Sequence, residues 1–165
     1  MARCRGRRVL QRPRREPRDE LVRHGVDIHT EVAVTAISKT RDGLHVDART
    51  TTADPIAWDV DLVLVVVGVQ PDTDLLVRAG AHTGTRGAIA VDNTMATGLA
   101  HVWAAGDCVT THHRLLGSTY LPLGTTAHKQ GRVAGENAVG GSARFAGSLG
   151  TQVVKVFDLV AARTG

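Results

Sequence analysis

The sequence predicts an α/β fold, and three observations carry the prediction. Leu62 to Val67 is six consecutive apolar residues, mostly β-branched, the pattern of a strand buried on both faces in a parallel sheet. Residues 31–48 alternate apolar and polar about Arg41-Asp42-Gly43, which reads as a β-meander. Leu121 to Val139 carries a helical pattern and runs into Gly140-Gly141, a common way to end a helix. Apolar residues make up 42% of the chain but aromatics only 3%, so Val, Leu and Ala must build the core.

The elements follow in order. Asp19 to Gly25 reads as the end of a helix, with Gly25 as its terminator after Arg23 and His24. Residues 26–29 read as a short strand. Glu31 to Ser38 reads as a half-buried strand facing Val32, Val34 and Ala36 inward, and Leu44 to Ala48 as its partner, with the meander continuing near Trp58. After the run at 62–67, Gly68 ends the strand. Pro71-Asp72 opens a short helix that stops at Gly80. Residues 89–91 and 102–105 read as short strands, and 109–120 as irregular. Pro122 suits the first turn of the long helix. Gln152 to Phe157 alternates as a strand, and a further strand begins at Val160.

A chain of 165 residues suits one ordinary domain. Its net charge of +4 misleads. Residues 1–18 hold eight Arg against one Glu, and the rest holds 12 Lys and Arg against 15 Asp and Glu. The basic character therefore belongs to a self-repelling stretch, expected to be disordered. No aromatic residues accompany these arginines, which argues against nucleic acid as a partner. No apolar run approaches the ~18 residues of a membrane span, so no membrane partner is expected. The two cysteines, Cys4 and Cys108, have no paired spacing. By elimination the chain is read as soluble and cytoplasmic. His112-His113 beside Cys108 lacks the spacing of a metal site, so no metal is expected.

Three features bear on chemistry. Gly106-Asp107 follows a strand and so places a carboxylate at a sheet's carboxyl edge, where α/β ligands bind; a plain turn is the alternative. Gly124, Gly131 and Gly135 share one face of the long helix. Each glycine costs about 1 kcal/mol against Ala there, which close approach of a flat ring or another helix would offset. The helix start also offers free amides to an electron-rich edge. Gly68 ends its strand where backbone could face a ring, or simply turns the chain. No Gly-x-Gly occurs anywhere, so no dinucleotide fingerprint is present.

In sequence, these segments resemble the pyridine nucleotide–disulfide oxidoreductases. Leu62 to Thr73 (LVLVVVGVQPDT) resembles that family's hydrophobic-GxxPNT segment, and Val102 to Cys108 (VWAAGDC), with Thr97 upstream, its second FAD motif. Leu121 to Arg132 (LPLGTTAHKQGR) resembles the flavin-facing helix of the coenzyme A–disulfide reductase and NADH oxidase branch, and residues 149–165 the start of that branch's dimerisation domain.

The resemblance implies a partial FAD/NAD(P)-binding doubly wound fold with a β-meander, followed by the first strands of an α+β dimerisation domain. Beyond the basic tail at 1–18, which has no counterpart in the family, it implies the end of an NAD(P)-binding domain at 19–68, the C-terminal part of an FAD-binding domain at 69–148, and the dimerisation segment at 149–165. It implies FAD as cofactor, NAD(P)H as electron donor, and a small-molecule disulfide, oxygen or peroxide as acceptor, with a homodimer in the full-length form. Gly106 and Asp107 would bind the FAD ribityl and pyrophosphate region. Leu123, Gly124 and Thr125 would meet the flavin's pyrimidine edge through backbone, and Gly68 would lie near the nicotinamide. No catalytic residue is assigned, because the family's redox-active cysteine region has no counterpart. The chain is thus expected to be a truncated, catalytically incomplete oxidoreductase. The alternative is a non-catalytic remnant or interaction module with a basic N-terminal arm.

Overall fold

A computed structural model describes residues 15–165. It divides into two units: the described residues through Val67 with Val154–Ala161, and Gly68–Val153 with Ala162–Gly165.

The first unit opens with helix α1, Arg15–Arg23. Glu16 in its first turn and Arg23 in its last complement the helix dipole. The helix closes as expected at Gly25, whose φ of 77° lets its amide reach the Val22 carbonyl at 2.9 Å and the Val26 amide reach that of Leu21 at 3.0 Å. Residues 15–18, read from sequence as tail, are thus helical; the rest of the expected disordered stretch lies outside the described residues. The expected strand at 26–29 is not formed.

The meander is present: β1 Val32–Lys39, β2 Leu44–Thr50 and β3 Pro55–Val60, antiparallel in that order. Lys39 pairs with Leu44 across the turn, and Val46 pairs with Trp58. A register shift between Val34 and Ala36 interrupts β1. The inward face expected of Val34 is not buried, for that side chain is 58% exposed. The buried residues of this sheet are Val46 and Ala48 on the central strand, the one strand with a neighbour on each side.

His45 on β2 sits between two carboxylates. Its Nδ1 lies 2.7 Å from Asp59 Oδ1 on β3 and its Nε2 3.4 Å from Asp47 Oδ1. The hydrogen bond to Asp59 raises its pKa above 6.5, partial desolvation opposes the rise, and the charges of Asp59 and Asp47 add to it. A raised folded-state pKa stabilises the meander below pH 6.5 and loses that contribution as pH climbs through the raised value. A proton-detected titration should place the His45 midpoint above 6.5 and Asp59→Asn should lower it. A wild-type midpoint at or below that figure contradicts the pairing.

The expected buried strand at 62–67 is the largest departure. These residues form no strand, and Leu62, Leu64, Val65, Val66 and Val67 are 68–89% exposed. A strand of this composition is stable only where neighbours complete its ladder and cover both faces, and the described residues supply neither. An apolar run this open is an association surface. Val66→Lys is therefore expected to lower the chain's tendency to self-associate in analytical ultracentrifugation while leaving the meander intact. Unchanged self-association would place the sticky surface elsewhere.

Strands β4 (Gln152–Val156) and β5 (Leu159–Arg163) form a hairpin, so the strand expected at Val160 is present. At its tip the Phe157 ring stacks on His24 at 3.9 Å, and the Asp158 amide donates to Glu20 Oε1 at 3.0 Å. That hydrogen bond holds the Glu20 carboxyl below its ordinary pKa. Glu20, His24 and Asp158 converge in the manner of a metal site. The Arg23 guanidinium, 2.7 Å from Glu20 and 3.4 Å from Asp158, answers their charge from within.

In the second unit, α2 (Asp74–Arg78) follows Thr73, whose hydroxyl donates to the Gly87 carbonyl at 3.0 Å and makes no cap bond to the helix, and it ends at Gly80, as expected, although Pro71-Asp72 lies ahead of it. The core is Ala81, Ile89, Ala104 and Val109, with Leu76, Val91, Leu99 and Cys108 packed against it. The strands expected at 89–91 and 102–105 shrink to single bridges: Ile89 with Thr83 and Val109, and Ala96 with Trp103. The stretch at 109–120, expected to be irregular, holds a short antiparallel pair, Thr111–His113 with Gly117–Thr119. The long helix α3 spans Gly124–Ala138. Leu123 is extended and its carbonyl accepts the Thr126 and Ala127 amides at 2.9 and 2.8 Å, so the helix begins after Pro122 rather than around it. Gly140, at φ 89°, closes it.

Candidate functional site

The site is built where the core chain leaves Ala104 and turns at Gly106. Gly106 has φ 90°, a backbone that side chains rarely adopt, and a Cβ there would stand 3.6 Å from that of Ala127 in the first turns of α3. Its carbonyl accepts the Val109 amide at 3.2 Å, closing a tight turn. Its own amide donates to Gln130 Oε1 at 3.1 Å. The fold thus brings the Gly-Asp turn and the start of α3 together. Asp107 at the tip is exposed.

The beginning of α3 is open. Among the described residues, nothing receives the amides of Gly124 and Thr125, and no side chain caps the helix. These are the free donors that every helix start leaves. Cβ atoms built on Gly124, Gly131 and Gly135 meet nothing within 4 Å. The room that the glycine face was expected to give is there, and no other described helix fills it.

Beside the turn, the Tyr120 hydroxyl is buried without a hydrogen-bond partner. Burial raises its pKa above 10.0; the charge of Asp107 adds to the rise and that of Arg86 opposes it. The Arg86 guanidinium carbon lies 6.0 Å from the centre of the Tyr120 ring. A buried phenol with no partner is costly unless something bound completes it. An orphaned donor, a carboxylate at a turn edge, two free amides and a bare glycine face suit a flat polyhydroxylated group such as a flavin with its ribityl chain.

Gly68 is not in this cluster. It is exposed at φ 93°, with nothing among the described residues within 4 Å of the place a Cβ would take. A cavity of about 690 Å³ is lined by residues that include Asp92, His112 and Arg144 and holds none of the expected site residues. A smaller one, about 250 Å³, includes Thr125 together with Arg114 and Lys129. Pocket size is a poor guide here, because the surfaces around Asp107 are open rather than enclosed.

Sequence reasoning missed Gln130, Tyr120 and Arg86. No local pattern marked Gln130: the structure buries Thr126, Gln130 and Asn137 on α3, and the sequence does not distinguish them from the other polar residues of that helix.

Comparison with known proteins adds the family context. A family model described as pyridine nucleotide-disulphide oxidoreductase matches residues 2–131. The chain is 31% identical, over 98% of its length and 36% of the other's, to an NAD(P)H coenzyme A polysulfide/persulfide reductase from Pyrococcus horikoshii. It is 39% identical to an NADH oxidase from Methanocaldococcus jannaschii over 66% of this chain and 24% of that one. The structure resembles an FAD-dependent pyridine nucleotide-disulphide oxidoreductase from Desulfovibrio vulgaris at TM-score 0.76 and 36% identity, covering 88% of this chain and 36% of the other. The chain spans about a third or less of the length of these relatives.

Proposed function

The chain belongs to the pyridine nucleotide-disulphide oxidoreductase family, and from that premise we propose that it forms the flavin-facing part of an FAD-dependent NAD(P)H oxidoreductase, incomplete as a catalyst by itself. The observation that carries this reading is the Gly106–Asp107 turn held against the open first turn of α3. FAD, when bound, supplies the two-electron link between NAD(P)H and the acceptor.

The chain's own residues would bind and orient. The Asp107 carboxylate accepts hydrogen bonds from ribityl hydroxyls, and Gly106 lets that backbone come close. The free amides at Gly124 and Thr125, with the backbone of Leu123, face the pyrimidine edge, where the helix dipole favours electron density. The Tyr120 hydroxyl, buried without a partner, would donate to an acceptor on the same group. Gly68, exposed with nothing among the described residues within 4 Å of a Cβ built there, would lie near the nicotinamide of the donor.

The acceptor is a small-molecule disulfide, oxygen or peroxide; of the relatives, one is named as a polysulfide/persulfide reductase and another as an NADH oxidase. The full-length form is a homodimer. No described helix is long and apolar enough to cross a membrane. Cys108 is a free thiol, which suits the reducing cytoplasm. Mixing the purified chain with FAD and separating by gel filtration tests the binding reading. Stoichiometric flavin absorbance travelling with the protein is expected. A colourless chain after equilibration with excess FAD sinks it.

A further inference from the structure

We propose that Gln130 positions Asp107 for the flavin, by clamping the Gly106–Asp107 turn to helix α3. The inference rests on the flavin reading above and names a residue that reading does not use.

Among the described residues no hydrogen bond restrains the Asp107 carboxylate, so the backbone of its turn sets where it points. The Val109 amide closes that turn on the Gly106 carbonyl at 3.2 Å, and its hydrogen-bond tie to α3 is the Gly106 amide, which donates to Gln130 Oε1 at 3.1 Å. Gln130 is 1% exposed, and its Nε2 donates to Thr111 Oγ1 at 3.1 Å. The two bonds fix the sense of the side-chain amide. A backbone N–H can only donate, so the Gln130 oxygen must face Gly106, and the nitrogen then finds the Thr111 hydroxyl as acceptor. Thr111 is itself 1% exposed. A flipped amide would leave a buried donor facing a donor, which costs about 1–3 kcal/mol. The clamp therefore has one orientation. It joins three elements: the helix whose start would meet the flavin ring, the turn that carries the carboxylate, and the strand Thr111–His113.

A buried tie that merely stabilises α3 is the competing explanation, and Asn137 is its control. Asn137 is also buried on α3 and also fully bonded, to Thr94 O at 2.8 Å and Ala143 O at 2.9 Å, but it does not touch the turn.

The test compares Gln130→Met with Asn137→Leu by amide hydrogen exchange without ligand and by FAD titration. Gln130→Met should speed exchange at the Gly106 amide by about tenfold and raise the FAD dissociation constant about five- to tenfold, as loss of one ordinary hydrogen bond predicts. Asn137→Leu should lower the melting temperature but change neither reading at Gly106 nor FAD affinity by more than about twofold. Thr111→Val leaves Gln130 in place and removes only the acceptor that orients it. It should move both readings the same way by less, and it serves if Gln130→Met does not fold. Unchanged exchange at Gly106 overturns the clamp. Faster exchange with FAD affinity no worse than in Asn137→Leu overturns its role in positioning. A wild-type chain that takes up no FAD overturns the flavin reading and this proposal's ligand with it. That failure is distinguished from failure of the clamp by the ligand-free exchange measurement.

Discussion

Asp107→Ala is expected to weaken FAD binding by roughly ten- to a hundredfold, while stability changes by less than about 0.5 kcal/mol. The affinity figure follows from the role assigned to the side chain. A hydrogen bond to an ionised acceptor contributes about 1.5–3 kcal/mol, and each 1.4 kcal/mol is a factor of ten in affinity. The small stability change follows from its place: Asp107 is exposed, and none of the hydrogen bonds among the described residues uses its carboxylate. This combination separates a binding group from a packing group. Asp107→Asn keeps the size and one acceptor oxygen but loses the charge, and should fall between wild type and Ala. Flavin fluorescence quenching gives the affinity and circular dichroism melting gives the stability. An Ala variant that binds FAD like wild type removes Asp107 from the site. One that loses binding only because it melts shows that the turn is structural.

Ile89→Ala should have the largest effect on the fold, a loss of about 2–5 kcal/mol. Ile89 is 1% exposed in a core whose other buried members are Ala81, Ala104 and Val109. The other three are Val or smaller and cannot fill the space that the missing carbons leave; only the partly buried Leu76 and Leu99 are large enough to shift toward it. Its backbone also holds the core together: the amide donates to the Cys108 carbonyl at 2.9 Å, and the carbonyl accepts the Thr110 amide at 2.9 Å. Those bonds flank the Gly106 turn on its C-terminal side. Loss of the core should therefore abolish FAD binding together with the cooperative melt, unlike Asp107→Ala, which separates them. A loss below about 1 kcal/mol would mean that the second unit's stability lies outside this cluster.

Helix ends were the most legible part of the chain. Gly25, Gly80 and Gly140 each take positive φ where the sequence put a helix end, because that backbone is nearly cost-free only for glycine. The meander was legible for a similarly local reason: its turn residues and alternation lie within one short stretch. The long helix was legible in extent but not in where it begins, since Pro122 fits both a first helical turn and the extended residues before one.

The strands at 26–29, 62–67, 89–91 and 102–105 were not legible, and the cause is common to all of them. Apolar composition says that a segment wants burial, but ladder formation needs a partner in register, and the partner is not encoded in the segment. Ile89 shows the difference. It is buried as its composition demands, yet its pairing is limited to single bridges with Thr83 and Val109.

By itself, the sequence determined the chain's family, through the order of four motifs, and the places where the backbone must turn left-handed. Each motif and each turn is a property of residues close together along the chain. Only the tertiary structure decided which polar side chains are buried. Gln130 is one of several polar residues on α3 until Gly106 arrives at its oxygen. Asp107, read from sequence as a carboxylate at a sheet edge, stands instead at a turn held by a helix beginning 17 positions further on. A hydrogen bond between residues 24 apart depends on how the intervening chain packs. No local pattern at either end records it.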